Sequence, residues 1–126
     1  MKIYQIVIKG DKRSEAYAEA SRASFQPAID AGIFDEIIVF DAITPDHPDF
    51  ETHINRFNFV PSLMNEDAFG KPDDHSPTEK AGMCSHWELM KKQGIEDERF
   101  FIAEHDTFLH EDQLDNLKEI MEYIDK

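Results

Sequence analysis

The sequence predicts an α/β protein with a mostly parallel, twisted β-sheet and flanking helices, a three-layer arrangement. Three short apolar runs, at 3–8, 36–40 and 99–104, have the length and composition of buried strands. Segments with helical periodicity separate and follow them, which gives the order β-α-β-loop-α-β-α. Strands that alternate with helices in this way form a parallel sheet through right-handed crossovers.

The first strand is predicted at Ile3–Ile8, because this segment is rich in β-branched and apolar residues and Gly10 ends it. A helix follows, with Ser14 as its N-cap. Its buried stripe is expected at Tyr17, Ala20, Ser21, Ser24 and Phe25. Pro27 is expected to kink or restart this helix, and Gly32 to close it.

The second strand is predicted at Glu36–Phe40 and ends at Asp41–Pro45. From Thr44 to Pro77 the sequence loses regular periodicity and carries five of its six prolines. A connection of this length in a compact domain is usually functional, partly ordered, or both. The candidate elements within it are short helices near 49–56 and 61–69, or an edge strand at 56–60.

The next helix is predicted to begin at Pro77, with Thr78 as its N-cap and Gly94 just past its end. Its buried stripe is expected at Met83, Trp87 and Met90. Gly82 within this helix costs about 1 kcal/mol relative to alanine, so another group is expected to approach the backbone there.

The third strand is predicted at Arg99–Glu104, and its polar end is the most distinctive stretch of the chain. If the extended conformation persists to Asp106, Glu104 and Asp106 project to one side and His105 to the other. Two neighbouring carboxylates repel each other, so they need a cation, a proton or solvent. Oxygen ligands suit Mg²⁺ or Mn²⁺, and an imidazole shifts the preference toward Mn²⁺ or Zn²⁺. A solvated strand end is the alternative and, for an isolated Glu-His-Asp, the more common case.

The last helix is predicted to start near Glu111 or Asp112. Its buried residues are expected to be Leu114, Leu117, Met121 and Ile124. No internal repeat or second domain is visible in the sequence, so residues 1–126 are expected to form a single domain.

Composition restricts the classes of function. The formal net charge of −14 argues against nucleic-acid binding, which depends on clustered Lys and Arg. No stretch approaches the roughly 20 apolar residues of a membrane span, and the first residues lack the features of a signal peptide. Cys84 is the single cysteine, in agreement with a reducing compartment. These features lead us to expect a cytoplasmic protein without a membrane span.

The element order also predicts where a ligand binds. If the third strand lies beside the first, the strand order is 2-1-3, and ligands bind beyond the carboxyl ends of the strands where the winding reverses. The segments gathered there are Lys9–Arg13, Asp41–Thr44 and Glu104–Asp106. A basic corner facing two acids suits a diphosphate held by a divalent cation. The same geometry also suits a metal site without phosphate, or no ligand.

Four segments, in this order along the chain, are similar to motifs of the family 25 glycosyltransferases of lipopolysaccharide biosynthesis. They are Ile3–Lys9, Phe40–Ile43, Glu79–His86 and Ile102–Asp106. The third segment matches the family motif in its Glu, Ser and His at the same relative spacing, with Ala81 and Gly82 where the family has Gly and Cys. In the fourth, His105 stands where the family has an acid.

The resemblance implies a fold like the N-terminal, donor-binding half of a GT-A glycosyltransferase. It also implies transfer of a hexose from a nucleotide-sugar donor, a UDP-hexose, to a hydroxyl of a glycan or other acceptor, with Mn²⁺ or Mg²⁺ bridging the diphosphate. The implied metal residues are Glu104, His105 and Asp106. The implied donor-binding residues are Ile8, Lys9, Arg13, Asp41, Ala42, Glu79, Ser85 and His86. No residue is assigned as the catalytic base.

Two alternatives to a transferase stay open. The sequence has no counterpart of the acceptor-binding half after the acidic strand, which is consistent with a reduced, non-catalytic relative that binds ligand. The high negative charge is also consistent with an acidic module that covers a basic partner surface. In each case a three-stranded sheet with open edges favours a homo-oligomer.

Overall fold

The computed structural model describes residues 1–52 and 77–124 of the chain. They form a mixed α/β structure, a three-stranded parallel sheet flanked by helices. The strands are β1 (Lys2–Val7), β2 (Ile37–Asp41) and β3 (Phe100–Glu104). The helices are α1 (Lys12–Asp30), α2 (Pro77–Glu96) and α3 (Leu114–Ile124), with a 3-10 turn at Glu111–Gln113 before α3. The predicted element order is therefore confirmed.

The chain divides into two compact units. The first comprises residues 1–41 and 92–126, and the second comprises residues 42–91. Residues 50–52 of the second unit are helical, in line with the helix predicted near 49–56. The helix predicted at 61–69 and the alternative edge strand at 56–60 lie outside the described residues.

The sheet of the first unit has the order β2-β1-β3, so the third strand lies beside the first and the condition for the predicted ligand edge is met. In β1, Val7 lies beside Asp41 of β2, and Ile6 lies beside Glu104 of β3. All three strands run in the same direction, so their carboxyl ends lie at one edge of the sheet. The segments that follow the strands start from this edge.

The core of the first unit lies on the face of the sheet that α1 and α3 cover. Its buried residues are Ile3, Phe25, Ala28, Phe34, Ala103 and Met121. On the opposite face, the rings of Tyr4 and Phe100 lie 4.4 Å apart between centroids. The ammonium group of Lys92, near the end of α2, lies 5.7 Å from the Tyr4 ring. Residues on both faces of the central strand are buried, as its nearly continuous apolar sequence predicts.

The N-cap of α1 is Asp11, so the prediction of Ser14 was wrong. The Asp11 carboxylate accepts a hydrogen bond from the Ser14 backbone N–H at 2.8 Å. The Ser14 hydroxyl instead accepts the N–H of Ile8, at the end of β1, at 2.9 Å. Ser14 is buried by this contact. Both residues are good capping residues, and tertiary contact with the strand decided between them.

The buried stripe of α1 is displaced from the predicted one. Ser21 and Phe25 are buried as expected, but Tyr17 and Ala20 are exposed. The buried residues are Ser14, Ala18, Ser21, Phe25 and Ala28. Most of them are small, so the helix backbone lies close to the sheet.

The end of α1 was predicted in part. The helix continues through Pro27 to Asp30, so it does not restart at the proline. Gly32 closes it as expected, with φ +76° and its N–H donated to the carbonyl of Ile29 at 2.9 Å. A residue in this left-handed conformation is the usual helix terminator, and glycine adopts it without strain.

In α2 the predicted buried stripe was wrong. Met83, Trp87 and Met90 are 40%, 45% and 50% exposed. The buried residues of the helix are Ala81, Cys84, Ser85 and Leu89. Within the second unit, Ala81 and Cys84 pack with Ile43 and Phe50. Three of the four buried side chains, those of Ala81, Cys84 and Ser85, are small, which allows close packing on this face.

Both ends of α2 also differ from the prediction. Thr78 is the second residue of the helix and not its N-cap, and Gly94 lies inside the helix. The helix ends at Glu96, followed by Asp97 with φ 50°. The N–H of Glu98 then bonds back to the carbonyl of Gln93 at 3.3 Å, which is a Schellman-type ending built on Asp rather than Gly.

No described atom lies within 4 Å of a Cβ built at Gly82. The predicted close approach to that glycine is therefore not made by residues 1–52 or 77–124.

The last helix follows the prediction except at its end. The 3-10 turn starts at Glu111, Met121 is buried, and Leu114 and Leu117 pack against the core while partly exposed. Ile124 is 38% exposed, so it was wrongly placed in the core. Neither α3 nor the other helices of the described chain are long and apolar enough for a membrane crossing.

Candidate functional site

The turn after β1 presents the predicted basic corner. The N–H of Asp11 donates to the carbonyl of Ile8 at 3.1 Å, which closes a four-residue turn. Gly10 occupies its third position with φ +86°, the conformation that a type II turn requires. Lys9 lies at the second position and is exposed, as is Arg13 in the first turn of α1. Both cations are accessible at the carboxyl edge of the sheet.

The backbone N–H groups of this corner bond to carboxylates of the chain itself. The N–H of Gly10 donates to the Glu15 carboxylate at 2.8 Å, and the N–H of Ser14 donates to Asp11. Two acids at the amino end of α1 complement the helix dipole. They also oppose an anionic ligand there. A phosphate at this corner would therefore contact the side chains of Lys9 and Arg13 rather than a cradle of backbone amides.

The acidic corner is a turn rather than an extended segment. The strand β3 ends at Glu104, and His105 and Asp106 form the turn that follows. The Thr107 N–H donates to the Glu104 carbonyl at 3.1 Å, and the Glu104 N–H donates to the Thr107 hydroxyl at 3.2 Å. The condition for strict alternation up to Asp106 is therefore not met. A threonine that closes the turn through both its backbone and its side chain explains why the strand stops.

The basic corner (Lys9–Arg13) and the acidic corner (Glu104–Asp106) are linked by contacts of the Tyr17 ring. The ring of His105 lies 6.1 Å from the Tyr17 ring between centroids, at an interplanar angle of 38°. The Arg13 guanidinium carbon lies 5.6 Å from the Tyr17 centroid. Tyr17 thus contacts one residue from each corner. This is the contact between α1 and the end of β3 that the strand order predicts.

Two serines of α1 fix the segment after this turn. The Ser21 hydroxyl donates to the carbonyl of Thr107, and the Ser24 hydroxyl accepts the N–H of Leu109 at 3.0 Å. Ser24 also donates to the Ser21 carbonyl at 2.6 Å. Sequence reasoning placed these serines in the buried stripe without assigning them this role. The sequence signal for this role is a pair of hydroxyl residues three positions apart on the inner face of a helix.

Two of the predicted acids project to different faces of the sheet. Residues in register on neighbouring parallel strands share a face, and successive residues alternate. Asp41 shares its face with Val7, and Glu104 shares its face with Ile6. Asp41 is therefore on the face of α1, and Glu104 is on the opposite face. Only Glu104 and Asp106 remain as a carboxylate pair.

The donor set at the acidic corner fits a hard divalent cation by its chemistry. Glu104 and Asp106 are exposed carboxylates at the two ends of three consecutive residues. Mg²⁺ is commonly held by one or two carboxylates that act together with substrate phosphates, without a complete protein cage. Within residues 1–52 and 77–124, no three His, Cys, Asp or Glu side chains form a group that could hold a metal ion. A cation here would need ligands from a phosphate.

The remaining predicted site residues belong to the second unit. Ser85 is fully buried, accepts the N–H of Ile43 at 2.8 Å and donates to the Ala81 carbonyl at 3.1 Å. This bond joins two segments of the resemblance, the one after β2 and the one on α2. Ala42 precedes Ile43 and is partly buried, as is His86, whereas Glu79 is exposed in the first turn of α2. Ser85 thus holds the Ala42–Ile43 segment against α2.

Cys84 is a structural residue of the second unit. It is fully buried, and burial raises the pKa of its thiol, with the charge of Glu88 acting in the same direction. A thiol with a raised pKa stays protonated and is a poor nucleophile or metal ligand.

The fold and the polar groups define an α/β protein with a polar site at the carboxyl edge of a parallel sheet. Comparisons with protein-family models, curated proteins and solved structures found no match to the chain. Membership of the family 25 glycosyltransferases stays a prediction.

Proposed function

We propose that this protein binds a nucleotide-sugar donor, a UDP-hexose, together with Mn²⁺ or Mg²⁺, and transfers the hexose to a hydroxyl acceptor. In this proposal the parallel sheet, with α1 and α3 on one of its faces, corresponds to the donor-binding half of a GT-A glycosyltransferase. The compartment that fits a soluble nucleotide-sugar pool is the cytoplasm.

One observation carries the proposal, the strand order β2-β1-β3 in a parallel sheet. In such a sheet the ligand site lies outside the carboxyl ends of the strands, where the connections turn in opposite directions. Lys9 follows β1 at that edge, and Glu104 ends β3 there. A cationic and an anionic corner at one edge suit a ligand with both a diphosphate and a bound cation.

The residues have distinct roles in this proposal. Glu104 and Asp106 hold the cation, and Lys9 contacts phosphate oxygens that the cation leaves exposed, with the positive charge of Arg13 nearby. A bound divalent cation supplies charge stabilisation for the departing diphosphate. The N–H groups near the start of α1 are engaged with Asp11 and Glu15, which leaves charge neutralisation to these side chains and the cation.

The contacts of the second unit support the family resemblance. The Ser85 hydroxyl bonds to the N–H of Ile43. Two short segments that resemble one family therefore meet in space as well as matching in order. In the proposal Ser85 positions the chain after β2, and its buried hydroxyl does not contact the donor.

Calorimetric titration with UDP, with and without Mn²⁺, tests the proposal. The wild-type chain is expected to bind UDP at least tenfold more tightly with Mn²⁺, because the cation joins two carboxylates to the diphosphate. The double substitution Glu104→Gln, Asp106→Asn is expected to remove this metal dependence. The matched control, Asp115→Asn with Glu119→Gln on α3, changes the net charge equally and should keep it.

UDP binding that does not respond to Mn²⁺, or a metal response that survives in the Glu104→Gln, Asp106→Asn variant, contradicts the proposed site. Absence of UDP binding under both conditions contradicts the proposed function as a whole. A binding protein without transferase activity is separated by incubation with UDP-glucose or UDP-galactose and an acceptor. A protein that only binds the donor would show metal-linked binding, but it would release no more UDP than the Glu104→Gln, Asp106→Asn variant does.

A further inference from the structure

We propose that Arg13, Tyr17 and His105, hereafter the ring cluster, form the subsite for the nucleobase of the donor. This inference rests on the proposed function and assigns a part of the ligand that the carboxylates and lysine do not account for. It also gives His105 a role other than that of a metal ligand.

The ring cluster is built from two elements that meet at the ligand edge. Arg13 and Tyr17 lie one turn apart on the exposed side of α1, and His105 directly follows β3. The Tyr17 ring lies near both of the other groups, 5.6 Å from the Arg13 guanidinium carbon and 6.1 Å from the His105 ring centre. Three planar groups are thus gathered beside the proposed phosphate and cation site.

Exposure makes the ring cluster accessible to a ligand. Tyr17 is 40% exposed although it lies on a helix that packs against the sheet. The inner stripe of α1 passes through Ala18 and Ser21, so Tyr17 does not serve the core. His105 is partly buried and lies against it on the strand side. The ring cluster is therefore exposed at Tyr17, and the partly buried His105 supports the Tyr17 ring from the side of the strand.

The chemistry of the ring cluster fits a planar heteroaromatic ring. Aromatic side chains and guanidinium groups stack on nucleobases, and this contact tolerates different bases because each has a π-face. The cation of Arg13 adds attraction to an electron-rich ring. The phosphates have their own partners in Lys9 and the cation at Glu104 and Asp106. The base is the part of a nucleotide that matches a cluster of rings.

His105 differs from its neighbours in what it contacts. Its ring lies with Tyr17 on the side of α1, whereas Glu104 is in register with Ile6 on the opposite face of the sheet. Its geometry therefore favours support of the Tyr17 ring rather than coordination with Glu104. His105 is thus assigned to the base side of the site and Glu104 to the cation side.

Titrations of the full chain with UDP and with inorganic pyrophosphate, both with Mn²⁺, test the assignment. Tyr17→Ala is expected to weaken UDP binding by roughly tenfold, the typical contribution of one stacked base, and to leave pyrophosphate binding unchanged. Tyr17→Phe keeps the ring and should bind UDP as the wild type does. Tyr123→Ala is the matched control, since Tyr123 on α3 is 79% exposed and distant in sequence from the cluster.

The outcomes separate this inference from the proposed function. Metal-dependent UDP binding that is equal in the wild type and Tyr17→Ala overturns the nucleobase subsite and keeps the donor site. Equal loss of UDP and pyrophosphate binding in Tyr17→Ala also overturns it, because the tyrosine would then act on the phosphate site or on folding. No UDP binding to the wild-type chain overturns both.

Discussion

Replacing Ile3 by alanine is expected to lower the free energy of unfolding by about 3 kcal/mol, within the range found for large-to-small changes in cores. Ile3 is 1% exposed and lies in the central strand, where it packs in the core cluster with Phe25 and Ala103. The loss combines the transfer free energy of the removed carbons with the cavity they leave.

Urea unfolding monitored by circular dichroism measures this effect as a lower midpoint at an unchanged slope. Ile95→Ala is the matched control, because Ile95 on α2 is 76% exposed and the same atoms are removed from solvent-facing surface. It should change stability by less than about 0.5 kcal/mol. Similar losses for the two substitutions would contradict the placement of the core on the α1 face of β1.

The second large effect is expected at a polar contact inside the first unit. Gln5 is 1% exposed in the middle of β1, where it donates to the Ala18 carbonyl of α1 at 3.2 Å. Its side-chain oxygen accepts a hydrogen bond from the Arg22 guanidinium at 2.9 Å. Gln5→Met keeps the approximate volume but leaves this guanidinium unpaired at the sheet. We expect a loss of about 1–3 kcal/mol in the free energy of unfolding.

A double-mutant cycle isolates the pair. Arg22→Met alone leaves the buried Gln5 oxygen without its donor and should cost a comparable amount, whereas Gln5→Met with Arg22→Met should recover much of the loss. Replacing both partners of a buried hydrogen bond by apolar groups is commonly close to neutral. Strictly additive losses in urea unfolding would show that the two side chains do not interact, against the observed geometry.

The sheet could be predicted from the sequence because its strands are short apolar runs between helices. The order of the strands was a condition in the sequence analysis, and the structure meets it with the order β2-β1-β3. The observed register puts the ends of all three strands at one edge. The position of a site at that edge could therefore be predicted, because it depends on where the apolar strands end.

The buried faces of the helices were predicted less well than the sheet, because large apolar side chains did not mark the buried face. Met83, Trp87 and Met90 have helical spacing, yet the buried face of α2 is the one with Ala81, Cys84 and Ser85. Periodicity locates a stripe, but the space available against the neighbouring element decides which stripe turns inward. The same effect moved the inner face of α1 away from Tyr17.

The N-cap of α1 and the turn after β3 could not be predicted from the hydrophobic pattern either. Asp11 and Ser14 are both good N-caps, and the bond from Ile8 to the Ser14 hydroxyl selected Asp11. Likewise, Thr107 ended the third strand two residues before Asp106. Both the choice of N-cap and the end of the strand depend on a hydrogen-bond partner outside the helix or strand concerned. The ring cluster was missed for the same reason, since Arg13 and Tyr17 meet His105 only in the folded chain.

The central claim is that the carboxyl ends of the three strands form one site for a nucleotide and a divalent cation. Paramagnetic broadening of backbone amide signals by Mn²⁺, in the presence of UDP, tests it most directly because the broadening falls steeply with distance from the ion. We expect the earliest loss of signal at residues 8–10 and 104–107, with the amides of α3 retained. Broadening centred on the acidic surface of α3 or on the opposite edge of the sheet, near Lys2 and Phe100, would contradict it.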